Sequence, residues 1–149
     1  MKTTELILVL LAFTTAILHL LHIPYSGYAL ALSLLALSFF YYALGFAFFN
    51  EIEYKAIFRK KNYQKIKTHH ILFAIANGWI LSIILIGVMF KLENLPYAGY
   101  ILSVGFIVTT VFILLSIILY IKTKSKIYSK IISRQLTTLI IAAGVYFLP

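Results

Sequence analysis

The chain alternates long apolar runs with short polar breaks. Residues 6–23, 28–49, 71–90 and 100–121 contain no Asp, Glu, Lys or Arg. Each run approaches the roughly 20 residues that a helix rising about 1.5 Å per residue needs to cross a hydrocarbon layer of about 30 Å. A fifth run, 130–148, carries Lys130, Arg134 and Gln135 at its start and is apolar beyond them. Long basic side chains at a helix end can reach back to the interface, so this run is read as a fifth span. The pattern predicts an all-α, polytopic transmembrane helical bundle of four spans plus a fifth.

Two of the polar breaks share one phrase. "HIPYSGYAL" at 22–30 and "NLPYAGYIL" at 94–102 lie 72 residues apart. The offset pairs Pro24 with Pro96, Tyr25 with Tyr97, Gly27 with Gly99 and Tyr28 with Tyr100. Just upstream it pairs Leu20 with Leu92 and His19 with Lys91. Proline removes a backbone donor and pushes the preceding residue away from the α region, which ends a helix. Glycine three positions on is expected to permit the chain reversal, and the flanking Tyr residues suit a membrane interface. Each phrase is therefore read as the bend of a transmembrane hairpin.

The resulting plan is a single membrane domain, 1–149. It has a first hairpin (5–49), a basic connection (50–68), a second hairpin (69–121), another basic connection (122–129) and a fifth helix (130–148). Because two spans separate equivalent positions, both hairpins have the same orientation, which makes the duplication parallel rather than inverted.

Charge fixes the expected topology. The net charge is +9, and twelve of the thirteen Lys and Arg residues fall at the N-terminus, in the two longer connections or at the start of the fifth run. These are Lys2, then Lys55, Arg59, Lys60, Lys61, Lys65 and Lys67, with Asn62 and Gln64 among them, then Lys122, Lys124, Lys126, Lys130 and Arg134. Only Lys91 lies at a hairpin turn. The positive-inside rule places the N-terminus and basic connections in the cytoplasm and the turns outside, in a multi-pass membrane protein. The basic segments are expected to contact anionic lipid. They are too short to hold a nucleic-acid recognition fold, so no nucleic-acid partner is expected. The absence of Cys removes disulfides, thiolate metal sites and lipoprotein anchoring.

Helices in lipid associate through small residues that let backbones approach. Ala74, Gly78 and Ser82 recur at intervals of four, as do Ala12 with Ala16 and Gly99 with Ser103. Asn77, beside Gly78, is the expected donor of an interhelical hydrogen bond.

Few residues offer chemistry. His19 and His22 share one helix face, and with Lys91, Glu93 and Asn94 they form an expected polar cluster on the turn side. A metal site or proton relay is the functional reading of the His pair; helix-end residues bonded to the turn backbone are the plainer one. His69 and His70 fall at the opposite membrane face, too far from His19 and His22 for one haem to be shared. The four acidic residues, Glu5, Glu51, Glu53 and Glu93, all lie outside the middle of the expected spans, which disfavours an ion-coupled transporter. No nucleophile elbow, phosphate loop or metal motif is present. No catalytic, cofactor or metal residue is assigned, and no enzyme activity or cofactor is expected.

"GVMFKLENLPYAGY", residues 87–100, resembles the Gly-x-x-Phe-Lys-x-x-His-Trp-Pro-Gly hairpin of small Bacteroidota inner-membrane proteins, the group that includes the GldL subunit of the gliding-motility and type IX secretion motor. Gly87, Phe90, Lys91, Pro96 and Gly99 carry the likeness, with Tyr97 and Ala98 between Pro and Gly. In the first copy His22 takes the His position and His19 replaces the Lys; Ile23 and Leu95 stand where the Trp would be. The resemblance implies a hairpin in an inner-membrane assembly. The motor glutamate of that group has no counterpart in 28–49 or 100–121.

The expected role is a non-catalytic integral membrane protein, a small structural or accessory subunit with membrane lipids and a membrane-protein partner or a second copy as neighbours. The alternatives are a small transporter or channel with a pathway between the hairpins and, more remotely, a haem- or quinone-associated subunit.

Overall fold

The computed structural model describes residues 1–59, 63–64 and 66–147. Lys60, Lys61, Asn62 and Lys65 of the first basic connection, and residue 148 of the expected fifth helix, lie outside the described residues. The chain forms α1 (Lys2–Leu20), α2 (Ser26–Phe49), α3 (Thr68–Leu92), α4 (Ala98–Thr123) and α5 (Lys126–Tyr146), with one 3₁₀ turn (Tyr54–Ala56) between α2 and α3. No strand occurs among the described residues. Helices α1 to α4 are long and apolar enough to cross a membrane, and the chain is a multi-pass integral membrane protein.

The two hairpin turns have one conformation. His22 and Asn94 hold φ of 55° and 51°, and Tyr25 and Tyr97 both hold 63°. In the first turn the Ile23 amide donates to the Leu18 carbonyl and the His22 amide to His19; in the second, Leu95 donates to Phe90 and Asn94 to Lys91. This is the Schellman helix ending, in which a left-handed residue just past the cap satisfies carbonyls of the last turn. The expected role of glycine is thereby corrected. Gly27 and Gly99 are helical, no glycine has positive φ, and the reversal is made by His22 and Tyr25 in one copy and by Asn94 and Tyr97 in the other.

Within the hairpins, equivalent positions make the contact by different means. Thr15 Oγ1 and Ser33 Oγ share a buried 2.8 Å hydrogen bond between α1 and α2. Their counterparts in α3 and α4 are Gly87 and Gly105, where a Cβ would stand 3.2 Å from the Leu102 side chain and 3.4 Å from the Ile84 Cα. One hairpin is fastened by a hydroxyl pair and the other by close backbone approach.

The hairpins join through α2 and α3. A Cβ at Gly78 would lie 2.4 Å from the Tyr41 carbonyl oxygen, and one at Gly45 would lie 2.9 Å from the Gly78 Cα. One turn away along α3, the Ser38 and Ser82 hydroxyls hydrogen-bond at 2.6 Å, and Ala74 is fully buried on the same side. Ala74, Gly78 and Ser82 thus line the seam with α2. Asn77 is also fully buried, but neither of its side-chain polar atoms has a hydrogen-bond partner, contrary to its expected role. Its face of α3, shared with Phe73 and Ile84, turns toward α4 and α5. The Gly99–Ser103 pair forms no packing face: nothing lies within 4 Å of a Cβ at Gly99, and Ser103 bonds back to its own helix.

Helix α1 packs along α2, burying Glu5, Ala12 and Thr15. Helix α5 packs on α3 and α4 and touches α2. It starts at Lys126 rather than at 130, and the expected basic connection 122–129 reduces to Lys124 and Ser125 between two helices. The charges of the first turns of α5 are accommodated because Lys130 pairs with Glu51 and Arg134 with Glu5.

Gly78→Ala is expected to lower stability by about 2 kcal/mol or more, since its methyl group must displace backbone rather than a flexible side chain. Gly144→Ala meets nothing within 4 Å and is expected to be neutral or stabilising by about 0.5 kcal/mol. Thermal unfolding in detergent, followed by helical circular dichroism, measures both.

Candidate functional site

The polar cluster expected on the turn side divides into two clefts. One, of about 560 Å³, is lined by His19, His22, Ile23, Tyr25, Ser26, Gly27, Tyr28, Ala31, Glu93 and Leu95. The other, of about 520 Å³, is lined by Lys91, Asn94, Leu95, Tyr97, Ala98, Gly99 and Tyr146. Six residues of the second cleft are the repeat counterparts of six in the first: Lys91 of His19, Asn94 of His22, Leu95 of Ile23, Tyr97 of Tyr25, Ala98 of Ser26 and Gly99 of Gly27. Duplicating the hairpin duplicated its cleft. Neighbouring helices then closed each one differently, with Tyr146 of α5 at the second and Glu93 at the first.

Glu93 caps α3, yet its carboxylate reaches away from Lys91 to the start of α2. A Cβ at Gly27 would sit 3.0 Å from Glu93 Oε2 and 3.2 Å from Oε1, so the missing side chain at Gly27 provides the room for this contact. A carboxylate over the first turn of a helix is favoured by the helix dipole. His19 completes the join, its Nε2 donating to the Leu92 carbonyl at 3.0 Å, one of the carbonyls that the end of α3 leaves without a helical partner. His22 is exposed, and no ion pair links it to Glu93 among the described residues. No group of three or more His, Asp or Glu residues comes together to hold a metal ion among the described residues.

A second polar constellation lies inside the half of the bundle nearer the basic connections. The carboxylate of Glu5, only 4% exposed, accepts from Tyr41 Oη at 2.5 Å and from Arg134 Nη2 at 2.8 Å. The guanidinium also stands over the Phe48 ring, 5.9 Å from its centroid. One carboxylate therefore ties α1 to α2 and α5. The sequence signal was available in Glu5 and Arg134. The charge-free run begins only at residue 6, whereas α1 begins at Lys2 and carries Glu5 on its buried face.

Asn77 occupies the position of Glu5 in the second repeat. With Thr109 of α4 and Gln135 of α5 it lies on faces that converge, since Phe73 stacks on Phe112 at 4.3 Å and meets Tyr128 edge-on at 5.3 Å. All three polar residues are fully buried. Five of their side-chain atoms, Asn77 Oδ1 and Nδ2, Thr109 Oγ1, and Gln135 Oε1 and Nε2, have no hydrogen-bond partner.

At the basic end, Glu51 is bonded to Lys130, with Lys2 at 3.8 Å. The Lys130 ammonium holds the Glu51 carboxyl below the ordinary glutamate value. A lowered folded-state value means that the pair stabilises the fold above the ordinary value and ceases to as pH falls through the lower one. Glu51 is more than half exposed, so solvent screening keeps this share small.

Arg134→Met leaves Glu5 buried without its cation and is expected to lower stability by about 3 kcal/mol, whereas the Glu5→Gln, Arg134→Met double variant recovers most of that loss. Asn77→Leu removes two buried unpaired atoms at similar volume. It is expected to leave stability unchanged or to raise it by up to about 2 kcal/mol. Thermal melts in one detergent compare the three variants.

Compared with protein-family models, curated proteins and solved structures, the chain gives no match in any of the three.

Proposed function

We propose that this integral membrane protein is a non-catalytic structural or accessory subunit of a larger membrane assembly. The observation that carries the reading is the seam between the hairpins. Gly45 and Gly78 bring the α2 and α3 backbones together, and the Ser38–Ser82 hydrogen bond fastens them further along, so the space that a transport pathway between the hairpins would occupy is filled by packing. Two of the polar groups that the fold brings together hold helices: Glu5 binds Tyr41 and Arg134, and His19 binds the end of α3.

The shape of the chain supports the same reading. Nearly all of its mass is in helices, and α1 buries one narrow stripe while presenting Leu6, Ile7, Leu10 and Phe13 outward. With the basic connections in the cytoplasm, the hairpin turns face outward, the same plan that the inner-membrane hairpin resemblance implies.

Purification from native membranes in a mild detergent, followed by mass spectrometry and measurement of the native mass, tests the proposal. The expected result is one membrane-protein partner, or a defined number of copies, recovered in constant ratio. Reproducible recovery as a lone monomer overturns it.

A further inference from the structure

We infer that the cleft at the second turn binds the headgroup phosphate of an anionic phospholipid, with Lys91 as its counter-ion. Among the described residues, Lys91 is the one Lys or Arg that stands at the turn end of the bundle, away from the end where the others gather. It is half-buried and forms no ion pair among the described residues. Glu93, two residues on, turns its carboxylate to the other cleft. The second cleft is therefore a recess of about 520 Å³ that contains a cation and no acid.

The repeat shows what such a recess accommodates. At the first turn the start of α2 is covered by an anion from the chain itself, with Glu93 Oε2 3.0 Å from where a Gly27 Cβ would be. At the matching place on α4 a Gly99 Cβ would meet nothing within 4 Å. The chain supplies an anion to one copy of the cleft and leaves the same volume open in the other, where a Lys replaces the His. The second copy also leaves one backbone donor free. The Ser26 amide donates to the Ile23 carbonyl, while the Ala98 amide in the same position bonds to no described acceptor.

The location selects the source of the phosphate. Because α3 and α4 span the membrane, the turn between them lies at the depth of the headgroups. Tyr97 and Tyr146 flank the cleft with the amphipathic character that this zone favours. A zwitterionic lipid would bring an ammonium group into a recess whose own charge is positive, so a headgroup with net negative charge fits better. The inference concerns a lipid site on the turn side and does not rest on the accessory-subunit reading.

The test is a titration of the full-length, isotopically labelled protein in detergent with short-chain phosphatidylglycerol, short-chain phosphatidylcholine or inorganic phosphate, following the Gly99 amide by NMR. Gly99 is distant from the basic connections, so lipid bound at those does not enter the readout. The expected result is a saturable shift with phosphatidylglycerol, weakened about tenfold in Lys91→Gln and restored in Lys91→Arg, at unchanged thermal stability. Equal responses to both lipids, saturation by inorganic phosphate alone, no saturable shift, or an unaltered response in Lys91→Gln each overturn the assignment. Should Lys91→Gln unfold, relief of the wild-type shift by added salt decides in its place: persistence at high salt overturns the ionic contact.

Discussion

The approach of α2 to α3 at Gly45 and Gly78 is the contact on which the rest of the structure depends. Lipid is as apolar as Leu, so spans gain little from hiding apolar faces against one another and must rely on close packing and hydrogen bonds. Where the backbones nearly touch, dispersion contacts are dense, and the Ser38–Ser82 bond satisfies hydroxyls that lipid would leave unpaired. The remaining helices attach to this central pair: α1 lies along α2, α4 along α3, and α5 crosses the α3–α4 side and reaches back to α2.

Helix α5 is the least apolar of the five and is not among those that qualify as spans by length and composition alone. It is held by polar partners. Arg134 meets Glu5 and Lys130 meets Glu51, contacts that span more than half the sequence and link α5 to the first hairpin. A charge in a membrane interior is costly unless paired, and pairing is what makes Glu5 in α1 and Arg134 in α5 compatible. The second hairpin carries Asn77 where the first carries Glu5. An amide is far less costly to leave unpaired than a carboxylate, so the copy without the arginine contact holds the neutral residue.

The fold was largely legible because membrane crossing imposes a composition that charge-free runs display directly. The hairpin bends were legible from Pro24 and Pro96; the spacing of Ala74, Gly78 and Ser82 marked a packing face but not its partner, and the same spacing at Gly99 and Ser103 marks none. The residues that make the bends were not legible. The Pro-Tyr-small-Gly-Tyr phrase directs attention to glycine, whereas the left-handed positions fall on His22, Asn94, Tyr25 and Tyr97; Asn and His enter that region more readily than most residues, and their matched places before each Pro are the signal that could have been used. The turn-side cluster was legible as a list of residues but not as geometry. Sequence proximity put Lys91, Glu93 and Asn94 together, but helical rotation at the end of α3 sends Glu93 to one side and Lys91 with Asn94 to the other. The interior set of Asn77, Thr109 and Gln135 was invisible because three separate helices bring it together.

Duplication explains why the turn end holds two clefts, and divergence explains why they are no longer alike. A parallel repeat copies a surface together with whatever the surface is shaped to receive. Once the copies share a chain, the second can supply a group to the first, as Glu93 does for the start of α2 and Leu92 does for His19. The second turn is completed on other terms, because the element that follows its hairpin is the single helix α5. That helix brings the Tyr146 side chain and no acid. The clefts thus differ in charge through their neighbours: the earlier turn takes Glu93 from the following hairpin, and the later one, beside α5, holds Lys91 with no acid in its lining.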